Sequence, residues 1–389
     1  MCYSDDVPTG TLERDHCTDW ATSQNVAVKV DGPCPLPLAP WIPRTLSEVP
    51  KGSRHYTGVN ESRHEIKIAI ICALTLEADA IHALFDEHWH GTISTQMRSP
   101  GDTNSYSFGV ICGYPVVLVH MPGMGKSNAS SVATNCRNSF PNVKLALVVG
   151  VCGAVPFYGD RKEIILGDVI ISEGLVPYDF GRRYTDKLIR REVLAKPPPE
   201  IRGLLNKMKG WMGRPRLKAR MLAHLKTLQE IFGAGATYLG TDEDFLFEAT
   251  YVHKHNKPGT CNICALPDGV CSNARPSTCG SLGCDQERLI HRKRHEANEF
   301  GPTAFVPEVH FGQIGCGDQV MKSGEHRDCI AKDEDVIAFE MEGAGVWDKF
   351  PCIVIKGVCD YSDSHKNKSW QVYAACTAAS CAKGLLQEW

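Results

Sequence analysis

The 389-residue sequence has no apolar run near the roughly 18 residues that a membrane helix needs. It has no excess of either charge: 42 basic against 45 acidic residues leave −3. Broad attraction to nucleic acid or to an acidic membrane surface is therefore not a whole-chain property. The first residues, Met1-Cys-Tyr-Ser-Asp-Asp, lack both the basic start and the apolar core of a secretory signal. These absences lead to the expectation of a cytoplasmic protein with no membrane partner and no general nucleic-acid partner. In a reducing compartment its 18 cysteines are thiols rather than disulfides. Cys72, Cys112, Cys152 and Cys359 lie in apolar runs, where Cys acts as a small hydrophobe. A Walker phosphate loop is also lacking. Gly123-Met-Gly-Lys-Ser carries its second half, but His120 stands where the first glycine would have to be.

What is present begins unevenly. Residues 1–64 are rich in Pro, Ser, Thr, Asp and Gly and hold no period; PCPLPLAPWIPR alone contains five prolines. Such a segment reads as a disordered arm. From Ile66 the pattern changes. IKIAIICAL is a continuous apolar run of strand type, and TLEADAIHALFDEHW follows at helical spacing. NSYSFGVICGY alternates, Gly113-Tyr-Pro turns, and PVVLVHM is apolar again. A helix over 128–139 is predicted next, then the buried strands LALVVGVCGAV and ILGDVIISEG. Apolar strands alternating with helices imply an α/β sheet covered on both faces. Residues 186–235 read as basic and helical, starting with KLIRREVL and interrupted by Pro197-Pro198-Pro199. VHFGQIGCGDQVM resumes the sheet, and 370–389 reads as an amphipathic closing helix.

The stretch VIAFEMEGAGVWDKFPCIVIKGVCDYSDSH, 336–365, is where chemistry concentrates. It reads as a turn and helix, a buried strand and a polar loop. Glu340 and Glu342 sit in an apolar and glycine-rich run, and Asp360 follows the strand CIVI. A carboxylate at the C-terminal end of a core strand is where α/β folds keep their reactive groups, and burial there can raise its pKa. Glu77, at the first strand-to-helix junction, could position a water or serve only as a first-turn acid meeting the helix dipole. Gly125, opening the helix after Gly123-Met124, lets backbone approach a ligand at a helix N-terminus, and Gly153 marks the turn ending VGVCGAV.

Residues 252–300 form a Cys/His-rich insert with little apolar content. Cys261-x-x-Cys264 is half of a structural zinc site, and Cys279 and Cys284 are the candidate second half, although four residues rather than two separate them. An unliganded loop is the alternative. Its HRKRH run leaves open a third function class, a zinc-organised nucleic-acid binder.

Six short blocks, ALTLEAD, PGMGK, VGVCGAV, ILGDVIIS, FEMEGAG and CDYSD, occur in an order that resembles the nucleoside phosphorylase and nucleosidase superfamily. The resemblance covers 66–183 and 308–388. YDFGRR and CDYSDSHKNKSWQVYAA are similar to its fungal branch, in which such a domain often precedes nucleotide-binding and repeat domains. The resemblance implies a single three-layer αβα domain over 65–389 with a mixed central β-sheet, working without a required cofactor on a purine nucleoside or nucleotide, as a homo-oligomer. It implies that Asp360 protonates N7 of the leaving purine, that Glu342 grips the ribose hydroxyls with Met341 packing on the sugar, and that Glu77 activates water. Gln319, Val320 and Met321 resemble the base-pocket segment, with Val320 where the family carries a stacking aromatic. Lys126, Arg182, Arg183, Lys366 and Lys368 are candidates for 5′-phosphate contacts, and the substrate could be adenosine or ATP. The family's phosphate-holding arginine and serine are replaced here by Val148 and Val151. Two valines offer no donor for phosphate, so hydrolysis is expected over phosphorolysis. A catalytically silent nucleoside-binding module is the remaining alternative.

Overall fold

The computed structural model describes residues 63–89, 97–185, 188–190, 194, 196–298, 301 and 305–389. The expected N-terminal arm lies outside these residues except at its last two positions. No helix among the described residues is long and apolar enough to cross a membrane.

Nine strands make one mixed sheet. In chain order they are β1 (Ile68–Cys72), β2 (Glu87–Trp89), β3 (Ser105–Ile111), β4 (Tyr114–His120), β5 (Leu145–Ala154), β6 (Val169–Pro177), β7 (Val309–Cys316), β8 (Val336–Glu340) and β9 (Cys352–Asp360). Their spatial order is β8-β7-β6-β9-β5-β1-β4-β3-β2. The central strands β1 and β9 are buried at every residue, as their unbroken apolar runs require when helices cover both faces. Helix α1 (Thr75–His82) follows β1, and α2 (Lys126–Ser139) follows β4. Two helices, α3 (Pro199–Lys209) and α4 (Gly213–Phe232), come from the basic region. Later come α5 (Gly324–Glu334), the short α6 (Gly343–Trp347) and the closing α7 (Gln371–Leu386). Helix α7 packs on β9, β5, α1 and α4, while α2 and α6 pack against each other.

One connection decides where the site lies. β8 pairs in parallel with β7 and also antiparallel with the end of β5, through Ala338↔Ala154 and Phe339↔Gly153. With β7–β6, β6–β9 and β9–β5 pairing as well, these strands close into a small ring. Gly153 thereby sits beside Phe339 on one side and Asp360 on the other. A Cβ at Gly153 would overlap the Ser362 hydroxyl and lie 2.6 Å from Asp360 Oδ1, so only glycine fits.

Five expectations need correction. Val336–Glu340 is a strand, not a helix; a short apolar run carries no periodicity to separate the two. Leu188–Arg190, the part of KLIRREVL within the described residues that pairs, is a strand against Gly181–Arg183 rather than a helix. The helix after β1 ends at His82, and Glu87–Trp89 turns back as an edge strand. Helix α7 is buried on nearly every side rather than amphipathic, because α4 covers the face turned away from the sheet. The β3–β4 turn also falls one residue early, on Cys112 and Gly113, both at positive φ, and Pro115 lies within β4. Cys72, Cys152 and Cys359 are buried, and the described cysteines are all free thiols.

Candidate active site

A cavity of about 1190 Å³ opens at the mouth of the strand ring. It is walled by the ends of β1, β5 and β8, the loop after β9 and part of the Cys/His-rich segment.

Glu77 lies in the first turn of α1, buried against the sheet. Its Oε2 accepts the N–H groups of Ala73 at 3.0 Å and Leu74 at 2.9 Å, and its Oε1 accepts that of Val151 at 2.8 Å. The carboxylate fills the space where a side chain at position 150 would stand, which is why Gly150 is there. Burial pushes the Glu77 pKa up, and the nearby Glu342 adds to this; Lys356 and the backbone donors offset it only in part.

Glu342 lines the cavity at the start of α6. Behind it is Lys356, wholly buried in the middle of β9, with Nζ 2.9 Å from Glu342 Oε2 and 3.5 Å from Glu340 Oε2. Burial works against the Lys356 charge, but Glu342, Glu340 and Glu77 outweigh it and hold its pKa well above the ordinary lysine value. Glu340 accepts the N–H groups of Glu342 and Gly343, which anchors the turn carrying Glu342.

Asp360 ends β9. Its Oδ1 accepts the Ser362 N–H at 2.9 Å, and its Oδ2 lies 2.9 Å from Lys366 Nζ. Near Asp360 the cavity wall is formed by Ser362, Gly153 and Lys366, with Asp360 directly behind them. Ser362 is held at φ 55, and its buried hydroxyl has no hydrogen-bond partner among the described residues. A strained, unsatisfied polar group on a cavity wall is a candidate ligand contact.

Met341, Gln319, Val320 and Met321 also line the cavity, as do Lys366 and Lys368. Other expected contacts lie elsewhere. Gly125, at φ 106, heads α2 beside Asp318, and Lys126 is ion-paired with Asp179 and lies 3.8 Å from Asp318. Arg182 and Arg183 are exposed on the small hairpin. Neither Lys126 nor these arginines face the cavity. Sequence reasoning missed Phe245, Phe339, Arg275 and Lys322, all on the wall. It also missed Lys356, although a lone cation inside the apolar run CIVIKGV is a readable sign of a buried partner. The four candidate cysteines do not share one site. Cys261 and Cys264 gather with His255 and Cys271, and Cys279 and Cys284 gather with His253 and His365.

Residues 67–226 match the family model described as the phosphorylase superfamily, so the resemblance carried by the sequence motifs is borne out over that span. A protein of Hyaloscypha variabilis named as a nucleotide-binding leucine-rich repeat (NLR)-like protein is 30% identical over 328 residues, covering 83% of this chain. The chain spans 29% of that relative's length. The futalosine hydrolase of Helicobacter pylori aligns in structure with TM-score 0.47 and 16% identity, covering 84% of this chain and 99% of its own. A 5′-methylthioadenosine/S-adenosylhomocysteine nucleosidase of the same organism, complexed with a substituted pyrrolidin-3-ol, gives the same four values.

Proposed function

We propose that the chain, carrying the phosphorylase-superfamily signature over residues 67–226, is an N-glycosidase that releases an adenine-type base from a purine nucleoside or nucleotide by hydrolysis. One observation carries this reading. Glu77 and Glu342 line one cavity, Asp360 stands directly behind its wall and pairs with the wall residue Lys366, and the Glu77 carboxylate takes the Val151 N–H that would otherwise be free for an anion. A buried carboxylate there repels phosphate and leaves room for water.

Cleavage of the glycosidic bond develops positive charge on the ribose ring. Glu342 binds the ribose hydroxyls and its charge favours that cation. Glu77 orients a water and accepts its proton as the water oxygen bonds to the anomeric carbon. The base leaves with the bonding electrons and takes up a proton at N7 from the Asp360–Lys366 pair, with Lys366 on the cavity side. Solvent returns the protons. Phe245 and Phe339 offer faces to the base that Val320 does not. Arg275, Lys322 and Lys368, all exposed on the same wall, suit the phosphates of a nucleotide such as ATP.

The test is incubation of the purified chain with adenosine, inosine, methylthioadenosine and ATP, with and without phosphate. Free base with ribose or its 5′-phosphates in phosphate-free buffer supports hydrolysis. Ribose 1-phosphate formed only when phosphate is added overturns it in favour of phosphorolysis. Tight nucleoside binding without product over hours overturns the enzyme reading in favour of a binding module.

A further inference from the structure

We propose that the chain binds two zinc ions, one on His253, Cys279, Cys284 and His365 and one on His255, Cys261, Cys264 and Cys271, and that the first ion pins the cavity loop after β9 to the Cys/His-rich segment. In each group the ligand atoms all lie within 4.8 Å of one another.

The spacing within the first group is that of a coordination shell. His253 Nδ1 and His365 Nδ1 are 3.3 Å apart. Cys279 Sγ lies 3.6 Å from both of these nitrogens, and Cys284 Sγ lies 3.6 Å from His253 Nδ1. A tetrahedral ion bonded at about 2.3 Å to sulfur and about 2.0–2.1 Å to nitrogen would space its ligands about 3.4 Å from N to N and about 3.6 Å from N to S. In the second group His255 Nδ1 is 3.5 Å from Cys264 Sγ and 3.6 Å from Cys271 Sγ.

The far side of each ring supports the same assignment. His253 Nε2 lies 2.9 Å from the Ser277 carbonyl and His365 Nε2 lies 3.0 Å from the Tyr251 carbonyl. A carbonyl only accepts, so both Nε2 atoms carry hydrogen, and in the neutral rings both Nδ1 lone pairs point at the same spot. Two lone pairs facing each other at 3.3 Å, with two sulfurs beside them, repel unless a cation lies between. Two of the sulfurs also accept hydrogen bonds. Cys264 Sγ accepts the Cys271 N–H at 3.5 Å, and Cys284 Sγ accepts from Asn256 Nδ2 at 3.8 Å.

The surrounding segment has little else to hold it. Its buried apolar residues are Phe247, Cys264, Ala274, Leu282 and Cys284, a cluster separate from the main core. A core of that size does not fold nearly fifty residues, and small units of this kind are stapled by disulfides or metals. The described cysteines form no disulfides. His365 crosses from the loop after β9, stacked on Phe247 with ring centroids 4.0 Å apart. Its chain neighbour is Lys366, the partner of Asp360. His253, Cys279 and His365 themselves line the cavity. An ion at the first group therefore sets where Lys366 and the Arg275 wall stand.

Zinc is counted whether or not any base is released, so this inference stands apart from the proposed activity. The full chain, purified without chelator, is assayed for metal by mass spectrometry. Two zinc ions per chain are expected, with one lost in Cys261→Ser and one lost in Cys284→Ser. Replacement of zinc by Co(II) is expected to produce the visible bands of tetrahedral thiolate coordination. Should the variants not fold, wild-type chain is titrated with a chelator, and release of two zinc ions with new protease cleavage between 252 and 298 is the expected result. One zinc or none, with no uptake from added zinc and no cobalt bands, overturns the proposal. Loss of both ions in Cys261→Ser alone overturns the two-site assignment.

Discussion

Glu77 Oε1 accepts the backbone N–H of Val151 at 2.8 Å, which joins the first turn of α1 to the end of β5 across the floor of the cavity. The same carboxylate is withdrawn from water and so is a stronger base than a surface glutamate.

Replacement of Glu77 by Gln is expected to lower kcat about 10²–10⁴-fold, the usual worth of a positioned base. Nucleoside affinity should change little, because Gln keeps the shape and the proposed sugar contact, Glu342, is untouched. Steady-state kinetics with isothermal binding of substrate check this, and near-normal kcat in Glu77→Gln removes the residue from the mechanism.

The pH dependence has a definite sign. Glu77 must be ionised to accept a proton, and its pKa is raised by burial. The rate should therefore fall as pH drops through that raised value, with the acid limb of kcat/KM lying above the ordinary carboxylate range of about 4. The limb should disappear from the residual activity of Glu77→Gln. An acid limb unchanged in that variant assigns it to another group.

Lys356→Met is expected to destabilise the fold by about 3–5 kcal/mol, because it leaves the buried Glu340 and Glu342 charges without their cation. Denaturant unfolding measures this. Lys356→Met with added Glu342→Gln should recover part of the loss, which a purely steric effect of the methionine would not do.

Asp168 gives a second stability prediction. Burial opposes its charge, but Arg294 and His310 outweigh burial and hold its pKa well below the usual carboxylate value. A depressed carboxylate stabilises the fold above its unfolded pKa of about 3.9 and loses that contribution as pH falls below it. Thermal unfolding of wild type should therefore fall away below about pH 4 more steeply than that of Asp168→Asn. The variant should already be weaker at neutral pH, since Arg294 and His310 lose their buried partner.

Much of the sheet was legible because a strand covered on both faces must be apolar throughout, as in IAIIC and LALVVGVCGA. Errors came where that signal is ambiguous. VIAFE is too short to reveal a period, and Leu188–Arg190 lies among helix-forming residues but is drawn into a hairpin with Gly181–Arg183. For the candidate site, strand-end position and the family resemblance pointed to Glu77, Glu342 and Asp360. The role of Lys356 could not, because its partners Glu342 and Glu340 meet it only when β8 and β9 share one ring. The pairing of the cysteines was also out of reach, since His365 joins Cys279 from 86 residues away.

The sequence by itself determined most of the element types, through side-chain chemistry and local period, and its resemblance to a family pointed to the three carboxylates and to the valines at 148 and 151. Tertiary structure alone decided that β8 returns to pair with β5. That closure stacks Gly153 against both Phe339 and Asp360, leaves Lys126 and Arg182 outside the cavity, and brings His365 to two cysteines of the distant segment. Long-range pairing of this kind depends on which surfaces can be buried together, and no local stretch of chain encodes it.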